Sequence, residues 1–348
     1  MEQTTSIQEK HRLFLQNSAI EEKTQLHVDR AISELQEITR KYTLFHISFF
    51  AIACLQLLSF VLFFSFLTKS TMLAFSIAGI FLTAFAYFVL LFYLQAKKPE
   101  QLLAVRLAFL EHCELSVSCE KNSADHHRFL SLALYQLIAS LKQLEYSYYS
   151  LPNSFKTLSP LMKKFSAWCH WKDLYQIKEM LFQTIIQKNI ELVKIAPTDL
   201  ETHAGLANAY ISLSELYQDP RKVEPEQDHI WIAPDYFSSE FLEKFKNASW
   251  RAIEEFKILD TYAPHDPWIH AQLAAIYHNL HNSEEEIRAY ESILKVAPHN
   301  RDILLRLGVL YFRHGHPAQG LRLYEQLKKT NDGKAEELIS YYDAYEFV

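Results

Sequence analysis

Glycine is scarce in this chain, with six among 348 residues, and neither GxGxxG nor GxxxxGK[ST] occurs. That argues against the dinucleotide-binding and phosphate-loop architectures, which depend on glycine turns. Cysteine is sparse too: Cys54, Cys113, Cys119 and Cys169 form no CxxC pair, so a disulfide framework or zinc module is not expected and reduced thiols are. Metal-ligand types do gather at His112, Cys113, Cys119, His126 and His127, but without an i, i+4 histidine pair. In Trp168-Cys169-His170-Trp171 the cysteine and histidine are sequence neighbours, which point apart on a helix and make a poor nucleophilic pair. Packing roles are expected for both groups, with no catalytic residue, no metal and no cofactor. No cleavable signal peptide is expected either, because the first 40 residues are polar.

Charge is missing altogether from two stretches. Thr43–Leu67 and Met72–Leu94 are uncharged apolar runs, and each exceeds the roughly 20 residues that cross a bilayer as a helix. Only Thr68, Lys69, Ser70 and Thr71 lie between them. The pair reads as a transmembrane hairpin over 43–94 in contact with the lipid bilayer, and as its own insertion signal. A buried pair in a soluble protein is the alternative, but core helices rarely run past about 14 residues without a charge. Arg40 and Lys41 precede the first run, Lys97 and Lys98 follow the second, and Lys69 stands alone in the turn. This excess of basic residues predicts both termini in the cytoplasm, with the bacterial inner membrane the expected host and a host-cell vesicle membrane the alternative.

The net charge of −6 is unevenly spread, +3 over residues 97–199 and −9 over 200–348. An acidic arm repels nucleic acid, so no nucleic-acid partner is expected. Residues 1–42 form a cytoplasmic arm in which Ser18 and Glu21 fit a capping box at a helix start. Val28, Ala31, Leu35, Ile38 and Tyr42 then recur at helical spacing on one face. That stripe is expected to pack on the chain's own helices or to pair with a second copy, so a homo-oligomer through this helix or the hairpin is an open expectation. Residues 1–17 show no periodicity and are expected to be unstructured. Inside the hairpin, Ser76, Gly79, Thr83 and Ala86 make a small-residue stripe toward the first span, and Gln56 is expected to bond across to the neighbouring helix.

Residues 95–196 read as a helical adaptor, with helices near 101–119, 124–149, 157–169 and 172–196 and breaks at Pro152 and Pro160. The 197–348 region is repetitive. Ala-Pro occurs at 196–197, 263–264 and 297–298; Tyr277, Tyr311 and Tyr345 are spaced 34, as are Phe256, Tyr290 and Tyr324, and as is Leu273 from Leu307. The most regular unit, 301–332, holds Leu304, Leu307, Gly308, Tyr311, Gly315, Gly320 and Tyr324. These types at this period resemble the tetratricopeptide repeat (TPR), a helix–turn–helix unit that stacks into a solenoid. In the unit at 267–298, Glu286 stands where that pattern has alanine, so looser helix pairing is expected there. The unit beginning near Leu200 is interrupted by an insertion over 219–237, Ala335–Val348 reads as a closing helix, and Lys172–Pro197 as a degenerate opening unit. The fold class expected is all-α: a transmembrane helical hairpin, a helical adaptor and a TPR-like α-solenoid.

The resemblance implies protein or peptide binding along the first helices of the repeats and not catalysis. By the family's register the groove-facing positions include Asn208 and Ile211, then Trp268, His278 and Asn279, then Leu305, Phe312 and Arg313. Members that grip a C-terminal carboxylate use lysines, arginines and asparagines. Here only Asn208 and Arg306 fit, and Ala204 and Asp302 stand where lysines are wanted. An apolar helical or extended ligand is therefore expected. In the insertion, Pro220, Pro225 and Pro234 oppose helix and Ile230, Trp231 and Ile232 form an apolar tip, expected to fold over the solenoid, contact a partner or close on a ligand. The reading is a membrane-anchored scaffold that binds or organises proteins at the cytoplasmic face. The short hairpin with both termini on one side also resembles chlamydial inclusion-membrane proteins, which are secreted and display both arms to a host cytosol. A membrane enzyme is the third class, and no convergent acid, base or nucleophile supports it.

Overall fold

The computed structural model describes residues 2–64, 72–117, 120–149, 158–223, 231–329 and 333–342, with side chains from Glu22 onward. The described residues are all-α, and they divide into two compact units, 1–188 with 228–233, and 189–227 with 234–348.

In the first unit, α1 (Glu2–Leu62) and α2 (Met72–Ser116) pack against each other and against α3 (Ala124–Ser140). α1 runs through Ser18, so the expected cap at that position is absent and residues 2–17 are helical, not unstructured. That stretch holds no glycine or proline and is rich in good helix formers such as glutamate, glutamine, leucine and lysine. Thr24, Val28, Ala31, Leu35, Thr39 and Tyr42 are buried at spacings of three and four. This seam, offered above to a second copy, is filled by the chain itself: α2 and α3 bring Leu102, Val105, Phe109, Leu130 and Leu134, all buried.

Beyond Tyr42 the pattern inverts. The 18-residue apolar windows of α1 and α2 bury none of their residues, and both helices are long and apolar enough to cross a membrane. Phe50 is 72% exposed and Phe81 is 72% exposed. Between the helices, Gln56 Nε2 donates to Thr83 Oγ1 (2.7 Å) and His46 Nδ1 lies 3.1 Å from the Tyr87 hydroxyl. Gln56 thus bonds across the pair as expected. A Cβ added at Gly79 would meet nothing within 4 Å, so that glycine is not needed for close approach.

α2 does not stop at Pro99, which lies inside it. Five residues before the proline, the Tyr42 hydroxyl donates to the Leu94 carbonyl (2.8 Å) and so ties α1 to α2. The two helices expected at 157–169 and 172–196 are one, α4 (Ser159–Ile195). Pro160 sits in its first turn, where the missing N–H costs nothing, and no later proline or glycine breaks it.

The second unit pairs α5 (Leu200–Tyr217) with α7 (Ser239–Tyr262), α8 (Pro267–Asn279) with α9 (Ser283–Val296), and α10 (Arg301–Arg313) with α11 (Pro317–Lys328). The four-residue α6 (Pro220–Val223) follows α5, and α12 (Lys334–Ile339) closes the stack. This is a TPR-like α-solenoid, and its joints repeat. Asp199, Asp266 and Asn300 each follow an Ala-Pro-x sequence, and each side chain accepts a backbone N–H at the start of the next helix. Ala207, Ala252, Phe256, Ala274, Tyr277, Ala289, Tyr290, Leu307 and Tyr311 fill one continuous core. Gly320 and Gly308 let it close: a Cβ at Gly320 would overlap the Phe312 ring, and one at Gly308 would lie 2.6 Å from Leu338. The closing helix, expected over 335–348, ends at Ile339, and residues 343–348 lie outside the described ones; it packs on the last repeat with Leu338 fully buried and the Tyr342 ring 5.4 Å from that of Phe312.

Candidate protein-interaction surface

The expected groove positions fall on α5, α8 and α10. Asn208 is exposed on α5, and Ile211 is half-buried at the edge of the core. On α8, Trp268 is 42% exposed, with its ring edge-on to Phe256 at 5.7 Å. His278 and Asn279 are exposed at the other end of that helix. On α10, Leu305 and Arg313 are half-buried, and the Arg313 guanidinium lies 5.9 Å from the Tyr341 ring centroid.

Phe312 is a correction. It is fully buried, held between Gly320 and Tyr342, and belongs to the core and not to a binding face. A large ring one residue before the end of α10 sinks because α11 offers a glycine opposite it. Of the remaining residues Asn208, Trp268, His278 and Asn279 are exposed, with the aromatic at one end of α8 and polar groups at the other, while Ile211, Leu305 and Arg313 are half-buried.

Glu286 departs from expectation as well. Its side chain is buried, and its carboxylate accepts from His278 Nδ1 at 3.1 Å. Burial pushes this carboxyl above the usual carboxylate range against the opposing pull of His278. The α8–α9 pair packs as closely as the α10–α11 pair, so the larger side chain does not loosen it. His278 is thus engaged inside its own repeat.

Two histidines escaped the sequence reading. His203 and His270 each stand six residues after an Ala-Pro proline, and each places Nε2 near that proline's carbonyl, at 3.0 Å from Pro197 and 3.2 Å from Pro264. His203 also meets Glu255 of α7 through Nδ1 at 2.7 Å. Burial pulls its pKa down, but Glu255 and the Pro197 carbonyl outweigh that and hold it above the ordinary histidine value. The signal was the 67-residue spacing that the histidines share with the prolines.

Ile230 lies outside the described residues. Trp231 and Ile232 are half-buried, and the Trp231 carbonyl accepts from the Tyr146 hydroxyl at 3.4 Å. Residues 231–233 are grouped with the first unit, so of the three placements expected for the tip, these residues do not take the one over the solenoid. In the same unit, Lys98 Nζ lies 2.5 Å from Asp173 Oδ2, and the Tyr149 hydroxyl joins Thr43 Oγ1 (3.2 Å) to His170 Nε2 (2.9 Å). His170 is packed by the Tyr148 and Tyr149 rings, and burial pulls it down to about 4, so it is neutral at pH 7. Burial likewise pushes the Cys113 thiol up to about 12, which makes it inert.

No family model matches this chain, and no curated protein matches it. Among solved structures it is similar to TTC0263, a thermophilic TPR protein of Thermus thermophilus, at 15% identity, covering 63% of this chain and 90% of that one with a TM-score of 0.30. It is also similar to the TPR domain of P58(IPK), at 10% identity, covering 92% and 97% of the two chains with a TM-score of 0.23. Both superpositions are loose, and the solenoid is defined here by its own 34-residue register, its Ala-Pro-x-Asp/Asn joints and its paired helices.

Proposed function

We propose that this chain is a membrane-anchored scaffold whose solenoid binds a protein partner at the cytoplasmic face. The observation that carries the anchor is the contrast within α1. Between Thr24 and Tyr42 one face of it, with Val28, Ala31, Leu35 and Tyr42, is buried in the chain, whereas from Leu44 onward no residue is buried and Leu44, Ile47, Phe50, Leu55, Leu57, Leu58, Val61 and Leu62 are exposed without a charge until the helix ends. Exposing that much apolar surface to water is untenable, and a bilayer is the solvent that accepts it on all sides. Arg40, Lys41, Lys97 and Lys98 flank the apolar runs on one side against Lys69 on the other, which supports a cytoplasmic side for both soluble parts, most simply at a bacterial inner membrane.

The binding role is supported by first-helix residues of the repeats: Asn208 and Asn279 are exposed, Trp268 is 42% exposed and Leu305 is half-buried, so an aromatic anchor and amide groups accompany apolar side chains on these helices. Such a mixture suits an extended or helical peptide with apolar anchors. The chemistry is binding and not catalysis. Capture of proteins from native membranes by the full chain, compared with a W268A/L305A variant, tests this. A discrete protein held by the wild type and lost from the variant supports these helices as the binding surface, and equal capture by both removes them from the account.

A further inference from the structure

The first turns of α4 carry an exposed apolar stripe that neither the solenoid nor the hairpin uses. Leu158, Leu161, Phe165 and Trp168 follow one another at spacings of three, four and three and are 47%, 63%, 47% and 60% exposed. Ser166, Ala167 and His170, on the other side of the same turns, are buried. The stripe lies in a basic stretch of this unit. Between Glu145 and Asp173 there is no acidic residue, while Lys156, Lys163, Lys164 and Lys172 all fall within it.

The depth of the stripe follows from its neighbours. Phe165 borders the same apolar groove of about 740 Å³ as His46, Phe50, Tyr87 and Phe88, residues of the two apolar spans. α4 and the soluble end of α2 run in the same direction, because Lys98 meets Asp173 and Arg106 Nη1 donates to Thr184 Oγ1 (3.4 Å) further along both helices. Lys98 stands four residues past Leu94, the last residue of the second apolar run, and Phe165 stands eight before Asp173. At a rise of about 1.5 Å per residue, Phe165 lies ~6 Å inside the apolar boundary. By the same rise of about 1.5 Å, Trp168 lies ~2 Å and Leu161 ~12 Å inside that boundary, so these turns enter it end-on.

We infer that the first turns of α4 lie in the cytoplasmic leaflet as a third, interfacial membrane element, with Leu161, Phe165 and Trp168 among the upper acyl chains and Lys163 and Lys164 reaching to anionic headgroups. This rests on the reading that α1 and α2 span the bilayer. Tryptophan at that depth is the usual residue of a membrane interface, and the lysines carry long apolar stems that let their charges return to the headgroups.

The test uses the full chain in phosphatidylcholine vesicles with a minority of phosphatidylserine, with bromine on the acyl chains as a fluorescence quencher. Wild type is compared with W168F and with F81W, both changes at exposed positions. W168F is expected to lower the bromine-dependent quenching at least twofold, and F81W to raise it. Unchanged quenching in W168F together with added quenching in F81W overturns the interfacial helix and leaves the hairpin standing. No added quenching in F81W overturns the spanning reading, and the inference with it.

Discussion

His203 Nδ1 and Glu255 Oε2 stand 2.7 Å apart, joining the first helix of the opening repeat to its second, while the other ring nitrogen faces the Pro197 carbonyl at 3.0 Å. A neutral imidazole has one N–H and can satisfy only one of these acceptors, whereas the imidazolium satisfies both. The raised pKa of His203 follows. A folded pKa above the unfolded value, about 6.5, means that this contribution to stability is complete below that value and is lost as pH rises through the folded one.

The melting temperature of wild type is therefore expected to fall more between pH 6 and pH 9 than that of E255Q, which keeps an acceptor but not the charge. Thermal unfolding of both proteins followed by helical circular dichroism reads this directly. Equal pH dependence in the two would remove the His203–Glu255 pair as its source.

Gly320 and Phe312 form the tightest joint of the last repeat. A methyl group there forces the ring or the helix to move, and G320A is expected to cost about 1–3 kcal/mol. F312A is expected to cost about 3–5 kcal/mol, because it empties a fully buried aromatic site. Denaturant unfolding measures both. Combining G320A with F312L is expected to cost less than the sum of the single changes, since the smaller side chain makes room for the methyl group.

The buried Glu286 carboxylate depends on His278 for its hydrogen bond. H278A strands it and is expected to destabilise the solenoid by about 1–3 kcal/mol. In H278A/E286A no unpaired group is left, so the double variant is expected to be more stable than H278A alone. A double variant less stable than either single one would contradict this assignment.

Much of the solenoid is legible in the chain because its helices repeat their contacts: Pro197, Pro264 and Pro298 mark the joints, and Tyr277 and Tyr311 mark equivalent core sites. The caps were not read from the sequence, although Asp199, Asp266 and Asn300 stand two residues after those prolines. Phe312 was not legible from register alone. A register gives the helix face on which a residue stands, but the depth to which a ring sinks depends on the neighbouring helix, here through Gly320. The fusion of two expected helices into α4 has a local reason, the harmless position of Pro160 in the first turn. By contrast, the bond from Tyr146 to Trp231 spans 85 positions and has no local signature. The two apolar runs are the plainest feature of the sequence, free of charge over a length sufficient to cross a bilayer.

The most direct test of the central claim is the topology of single cysteines placed in a background where Cys54, Cys113, Cys119 and Cys169 have been replaced. One cysteine replaces Lys69 in the turn, one Lys97 after the second span and one Asn208 in the solenoid, and each is exposed to a membrane-impermeant maleimide in intact cells and in inverted vesicles. The account predicts that the Lys69 position is modified only from outside, and the Lys97 and Asn208 positions only from the cytoplasmic side. Labelling of all three from the same side would contradict a membrane-spanning hairpin.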